Sequence, residues 1–248
     1  MSNIFNENLS KYAELVVKVG VNIQKNQFLY ISASTDALDL ARLITKKAYE
    51  AGARQVFVDL ADDQIGRARY ELAPDDSFDF FPEWKVKERE WLAEQGAAFV
   101  SIVSQSPDLL KGIDSKRIAT FQRAAGTALN KYRQYVQSDK ISWTVIASPS
   151  EAWAEKVFPN LPKEKQVDAL WDAIFKATRS DLDNPVEAWT KHNDTLHEKV
   201  HYLNAKKYAK LHYTAPGTDL TIELPKGHLW CGAGSVNEKG EEFMANMP

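Results

Sequence analysis

A single cysteine, Cys231, is all the thiol chemistry in these 248 residues. An internal disulfide is excluded, and so is a cysteine-rich zinc site, which needs several thiolates. Long apolar runs are missing too. The stretch Leu15–Val21 is broken by Lys18, and spanning a bilayer takes about twenty apolar residues. The opening residues Met-Ser-Asn-Ile-Phe-Asn-Glu-Asn contain neither a basic nor an apolar signal region, so no secretory signal is read. Neither sign of charge dominates: 31 basic and 34 acidic residues leave a net −3, which gives no electrostatic footprint for nucleic acid. There is no internal repeat and no low-complexity linker. What is present is ordinary for a globular chain, with 44% hydrophobic and 26% charged residues. A cytoplasmic enzyme or binding protein with no membrane partner is expected.

The apolar pattern alternates between strand and helix. Leu9, Tyr12, Ala13, Val16 and Val17 fall at helical spacing before Gly20. Phe28–Ala33 reads as a buried strand, Ala37–Ala51 as a helix capped from Ser34, Thr35 and Asp36, and Gln55–Leu60 as a second strand. A helix over Glu83–Gln95, a strand over Ala98–Val103, one helix over Ser115–Tyr135 and a strand over Trp143–Ala147 continue the rhythm. This predicts an α/β fold, a parallel sheet in three layers with helices on both faces. A helical block follows over Glu151–Val157, Lys163–Thr178 and from Asn184-Pro185 to about Leu203. From Tyr208 the chain turns β-rich, with Pro216-Gly-Thr-Asp219 as a turn before the alternating strand Leu220–Leu224. Residues 1–207 are expected to form an N-terminal α/β domain, and 208–248 the start of a second domain too short to bury a core alone.

Several motifs invite chemistry. His197-Glu-Lys-Val-His201 matches H-E-x-x-H, which on a helix stacks two imidazoles one turn apart with Glu198 as a general base. A zinc protease built on it would need a third ligand such as His212, Glu223 or Glu238. Its flanks, Lys191, Asn193, Asp194, Lys199, Lys206 and Lys207, are those of a solvated helix face, so the reading preferred is surface histidines. The turns Ser32–Asp36 and Ser104–Asp108 follow strands, where open α/β sheets take ligands; the first reads better as a helix cap, and the second suits a helix start equally well. Gly232-Ala-Gly-Ser-Val236 lacks the helix a phosphate loop requires, and Cys231 has only His228 nearby. Asp75, Asp76 and Asp79, interleaved with Phe78, Phe80 and Phe81, suit either a surface loop or a partner contact.

Seven stretches together carry a family likeness: Tyr12–Gln24, Ser106–Asp114, Ala152–Pro159, Leu170–Phe175, Pro185–His192, Pro216–Leu220 and Gly240–Pro248. In order and over the whole chain, they resemble the bacterial metallo-aminopeptidases of the aminopeptidase T and aminopeptidase S (PepS) type. The resemblance implies an exopeptidase that removes N-terminal residues from peptides. It implies a pair of divalent ions (zinc, cobalt, magnesium or manganese) that polarise the scissile carbonyl and lower the pKa of a bridging water. It also implies a homodimer and a C-terminal metal-binding domain, whose first ligands lie in a Thr-Glu-Glu segment directly after the Asn-x-Pro that is here Asn246-Met247-Pro248. On that reading this chain holds no catalytic, cofactor-binding or metal-ligating residue, binds no metal by itself and is inactive alone. A non-enzymatic α/β binding or dimerisation module is the alternative from another class.

Overall fold

A computed structural model describes residues 3–247. Four strands, β1 (Phe28–Ser34), β2 (Gln55–Ala61), β3 (Ala98–Val103) and β4 (Trp143–Ala147), form one parallel sheet in the order β2-β1-β3-β4. Its register runs from Phe28 opposite Gln55, Leu29 opposite Ala98 and Phe99 opposite Trp143.

Alternation along the strands divides two cores. Leu29, Ile31, Val100, Ile102 and Ile146 face α1 (Asn3–Leu15), α2 (Leu38–Glu50), α8 (Lys163–Thr178) and α9 (Pro185–Lys206). Tyr30 and Phe99 face the opposite way, toward Leu92 and Ala93 of α4 (Glu83–Glu94) and Tyr132 of α6 (Asn130–Gln137). The three-layer α/β expectation therefore holds. It follows from side chains pointing to opposite faces at successive positions of each strand.

Some elements differ from the pattern read in the sequence. The single helix expected over Ser115–Tyr135 is two, α5 (Ser115–Ala128) and α6, broken at Leu129, where φ is −91° and ψ 12°. A helix not anticipated, α3 (Asp63–Leu72), buries none of its residues and so shows no apolar period. The first helix ends in a wide turn over Val16–Gly20, in which Val21 N–H reaches Val16 O at 2.9 Å. The short helix α7 (Glu151–Val157) starts at Ser150, whose Oγ accepts from Trp153 N.

Beyond α9, β5 (Lys210–Ala215) and β6 (Thr218–Glu223) form an antiparallel hairpin around Gly217, whose φ of +77° suits glycine. β7 (Ser235–Val236) and β8 (Glu242–Phe243) make a second, smaller hairpin. The chain then returns to the large sheet. Val145 N–H donates to Ala245 O at 2.9 Å and Met247 N–H donates to Val145 O at 3.0 Å, so residues 245–247 lie along the β4 edge. Phe243, Met244 and Met247 are all buried there.

Candidate functional site

The chain leaves β1 to build β2 on one side and later returns to place β3 on the other. The C-terminal ends of β1 and β3 therefore form a switch point, where open α/β sheets bind ligands. Both turns singled out in the sequence, Ser32–Asp36 and Ser104–Asp108, arrive there. Their polar groups are mostly engaged in holding the fold. Thr35 Oγ1 donates to Asp62 Oδ2 at 3.0 Å rather than capping α2, and Asp62 Oδ1 accepts from Gln64 N and Ile65 N to cap α3. Asp63 Oδ2 accepts from Ser106 N at 2.9 Å, stitching the start of α3 to the loop after β3. Asp108 bonds Lys156 at 2.6 Å, and that hydrogen bond holds its carboxyl below the usual range. Asp36 is pushed the other way, first by partial desolvation and then by Asp63, Asp62 and Glu151. The Oγ atoms of Ser34 and Ser104 are buried without a hydrogen-bond partner among the described residues.

On α9, the His197 and His201 rings stand one turn apart with centroids 6.4 Å from each other. Among the described residues, no group of three His, Cys, Asp or Glu side chains is placed to hold a metal ion. The third ligands that motif would need lie elsewhere. His212 is on the β5–β6 hairpin, with Nδ1 2.7 Å from Thr221 Oγ1 and Nε2 3.3 Å from Asp219. Glu223 pairs in register with Lys210, and Glu238 is exposed.

The remaining candidates are also accounted for by packing. Gly234 N–H donates to Asn193 Oδ1 at 2.7 Å, and a Cβ at Gly234 would lie 3.1 Å from Phe243 O. The glycine-rich loop is thus a close approach to α9, not a phosphate cradle. Cys231 is exposed, while His228 directs Nδ1 to Pro225 O at 2.9 Å. Asp75 pairs with Arg117 at 2.7 Å and Asp79 with Arg123 at 3.6 Å. Phe78 between them is fully buried, stacked on Tyr70 at 5.3 Å with the Arg69 and Arg117 guanidinium groups close by. That acidic loop closes on its own neighbours.

A cleft of about 290 Å³ lies between the wide turn after α1, one side of α9 and the β7–β8 hairpin. Trp189, Phe243 and Met244 form an apolar floor, and Lys18, Asp194, His197 and Glu242 reach its rim. Trp189 Nε1 donates to Thr178 O at 2.6 Å, which satisfies the indole and fixes its plane. Met244 N–H meets Val19 O and Gly20 O, and Asn22 Nδ2 donates to Glu242 O at 2.8 Å, so the hairpin is pinned to the turn. His192, next to this floor, has its pKa lowered by burial first and by Arg179 second.

Residues 5–248 match the model of the peptidase M29 family, described as thermophilic metalloproteases. The chain belongs to the M29 family. It is 59% identical over 244 residues to aminopeptidase AmpS of Bacillus subtilis, and 42% identical over 245 residues to aminopeptidase PepS of Streptococcus thermophilus. Each match takes in 98% of this chain but only 60% and 59% of those relatives. The solved structure of wild-type AmpT from Thermus thermophilus superposes with a TM-score of 0.91 at 36% identity, covering 98% of this chain and 60% of that one. The M29 chain therefore spans about 60% of the length of the relatives it matches. A metalloprotease centre asks for several donor side chains at about 2.0–2.3 Å from the ion. Residues 3–247 bring no three such donors together. They do not fit a hydrolytic metal site, and no step of hydrolysis is assigned to them.

Proposed function

We propose that this chain is the scaffold portion of a metallo-aminopeptidase that removes N-terminal residues from peptides, and that it lacks the residues of the metal centre. The observation that carries this reading is the match of 98% of the chain to proteins named aminopeptidases while spanning only about 60% of their length. The complete enzyme would use a pair of divalent ions, zinc, cobalt, magnesium or manganese, and would act as a cytoplasmic homodimer. The ions would supply a polarised carbonyl and an activated water. This chain's own contribution is the α/β sheet and the hairpins that lead out of it. Its division follows the same reading: residues 1–207 as the α/β unit and 208–248 as the start of a second, with residues 243–247 docking back on the first.

The test is hydrolysis of leucine p-nitroanilide by this 248-residue polypeptide with cobalt or zinc added. No metal-dependent turnover above background is expected. Turnover comparable to that of a full-length M29 aminopeptidase would overturn the proposal, and loss of that turnover in His201→Ala would move the chemistry to the His197–His201 helix.

A further inference from the structure

We propose that the apolar face of the β5–β6 hairpin is the docking surface for the portion of an M29 aminopeptidase that this chain does not span. In the hairpin register Leu211 lies opposite Ile222 and Tyr213 opposite Leu220, and side chains two apart on a strand share a face. Those four, with Leu224 next in the row, make one face apolar. Lys210, His212 and Thr214, opposite Glu223, Thr221 and Asp219, make the other polar. Only the polar face suits water, yet both are open: Tyr213 is 50% exposed, Leu220 48% and Ile222 42%. Neither strand pairs with a further strand among the described residues. A two-stranded hairpin alone is marginally stable until a third strand or a helix covers its apolar side. At the foot of the face a cavity of about 590 Å³ is lined by Leu224, Tyr208, Pro225 and Leu229, the last 77% exposed. It gives an incoming apolar side chain a place to anchor.

The occupant follows from the comparison of lengths. The chain matches aminopeptidase AmpS over 98% of itself but over 60% of AmpS, leaving about two-fifths of that relative without a counterpart here. The hairpin belongs to residues 208–248. On the reading proposed above, on which this inference rests, those residues begin the unit that the remainder completes. Large apolar side chains are exposed elsewhere too, such as Ile65 and Leu72 of α3, but they lie in the α/β unit. Single exposed apolar side chains are ordinary, whereas a contiguous one-sided apolar surface marks an interaction site.

Co-production tests it: the 248-residue chain, carrying an affinity tag, is made together with the part of Bacillus subtilis AmpS that lies outside the 244-residue match. A complex with one copy of each is expected, its mass read by light scattering. Leu220→Asp with Ile222→Asp puts two carboxylates in the seam and should weaken the association roughly tenfold or more. Ile65→Asp with Leu72→Asp should leave it intact. Neither pair belongs to a buried core, so both variants should keep the parent's urea midpoint. Leu220→Val with Ile222→Val keeps the face apolar and should associate like the parent. No complex, a complex that survives the hairpin aspartates, or one lost equally in the α3 variant would each overturn the proposal. So would self-association of the tagged chain through this face in place of the complex. The two readings fail separately: leucine p-nitroanilide hydrolysis by the 248-residue chain alone counts against the scaffold reading and leaves the docking standing, whereas a missing complex does the reverse.

Discussion

Tyr12 has no exposed surface, yet its hydroxyl is fully used: it donates to Ala147 O at 3.0 Å and accepts from Ala147 N at 3.1 Å. One side chain of α1 thereby ties both backbone groups of the last residue of β4, and burial raises the phenol above its ordinary range. Tyr12→Phe keeps the ring and removes that partner. It should cost about 1–3 kcal/mol, the penalty for buried polar groups left unpaired. Urea denaturation would show a lower midpoint at constant slope, and an unmoved midpoint would contradict this account of the hydroxyl. Asp36 makes the opposite prediction. Its carboxyl is raised by desolvation and by Asp63, Asp62 and Glu151, so the folded state holds the proton more tightly than the unfolded chain. No penalty exists below the unfolded value of about 3.9; the penalty grows as pH rises through the folded pKa and is complete above it. Asp36→Asn should therefore stabilise the chain at neutral pH and have little effect near pH 3. A gain that was the same at both pH values would rule out titration as its cause.

At the scale of elements, the strands with buried side chains were the plainest to read. β1, β3 and β4 each place apolar side chains in a core, so they stand out as short apolar runs between turn residues. α3 buries nothing and is held from outside, by the Asp62 cap and by Arg67 donating to Leu109 O at 2.7 Å, so no apolar period marks it. The break at Leu129 has no glycine or proline at it, and the apolar spacing runs on through it. The cleft is not legible in the sequence, because its walls come from segments around residues 20, 190 and 240. The H-E-x-x-H motif was fully visible, but a motif records spacing along one helix and not what faces it. The start of α9, by contrast, was written locally. Asn184 Oδ1 accepts from Glu187 N at 3.2 Å, Asn184 Nδ2 donates to Glu187 Oε2 at 3.0 Å, and Pro185 occupies the first turn. Asn184→Ala should cost about 1 kcal/mol and speed amide hydrogen exchange in the first turn of α9. Unchanged exchange there would show that packing of Trp189, not the cap, holds the helix start.

Across the whole molecule, the two ends of the described chain meet in one core. Gly20 closes the wide turn after α1, and a Cβ built on it would lie 3.0 Å from Met247 Sδ and 3.2 Å from Thr144 Cγ2. Met247 is 1% exposed and its backbone pairs with β4, so it has little room to retreat. Gly20→Ala alone then combines two opposed effects. Removing glycine stabilises by about 0.4–1 kcal/mol through the unfolded chain, while overpacking a filled core costs about 1–3 kcal/mol. The crowding should win, and the variant should be less stable than the parent. Met247→Ala alone should cost about 2–5 kcal/mol as a cavity opens. In that background the sulfur is gone, only the smaller crowding against Thr144 remains, and Gly20→Ala should turn neutral or stabilising. The double variant would then be more stable than the sum of the two changes predicts, by about 1 kcal/mol or more. Urea midpoints of the four proteins measure this directly. Strict additivity would mean that residues 245–247 do not sit against the Val16–Gly20 turn in solution, and that the closing of the sheet edge by the end of the chain is not part of the native fold.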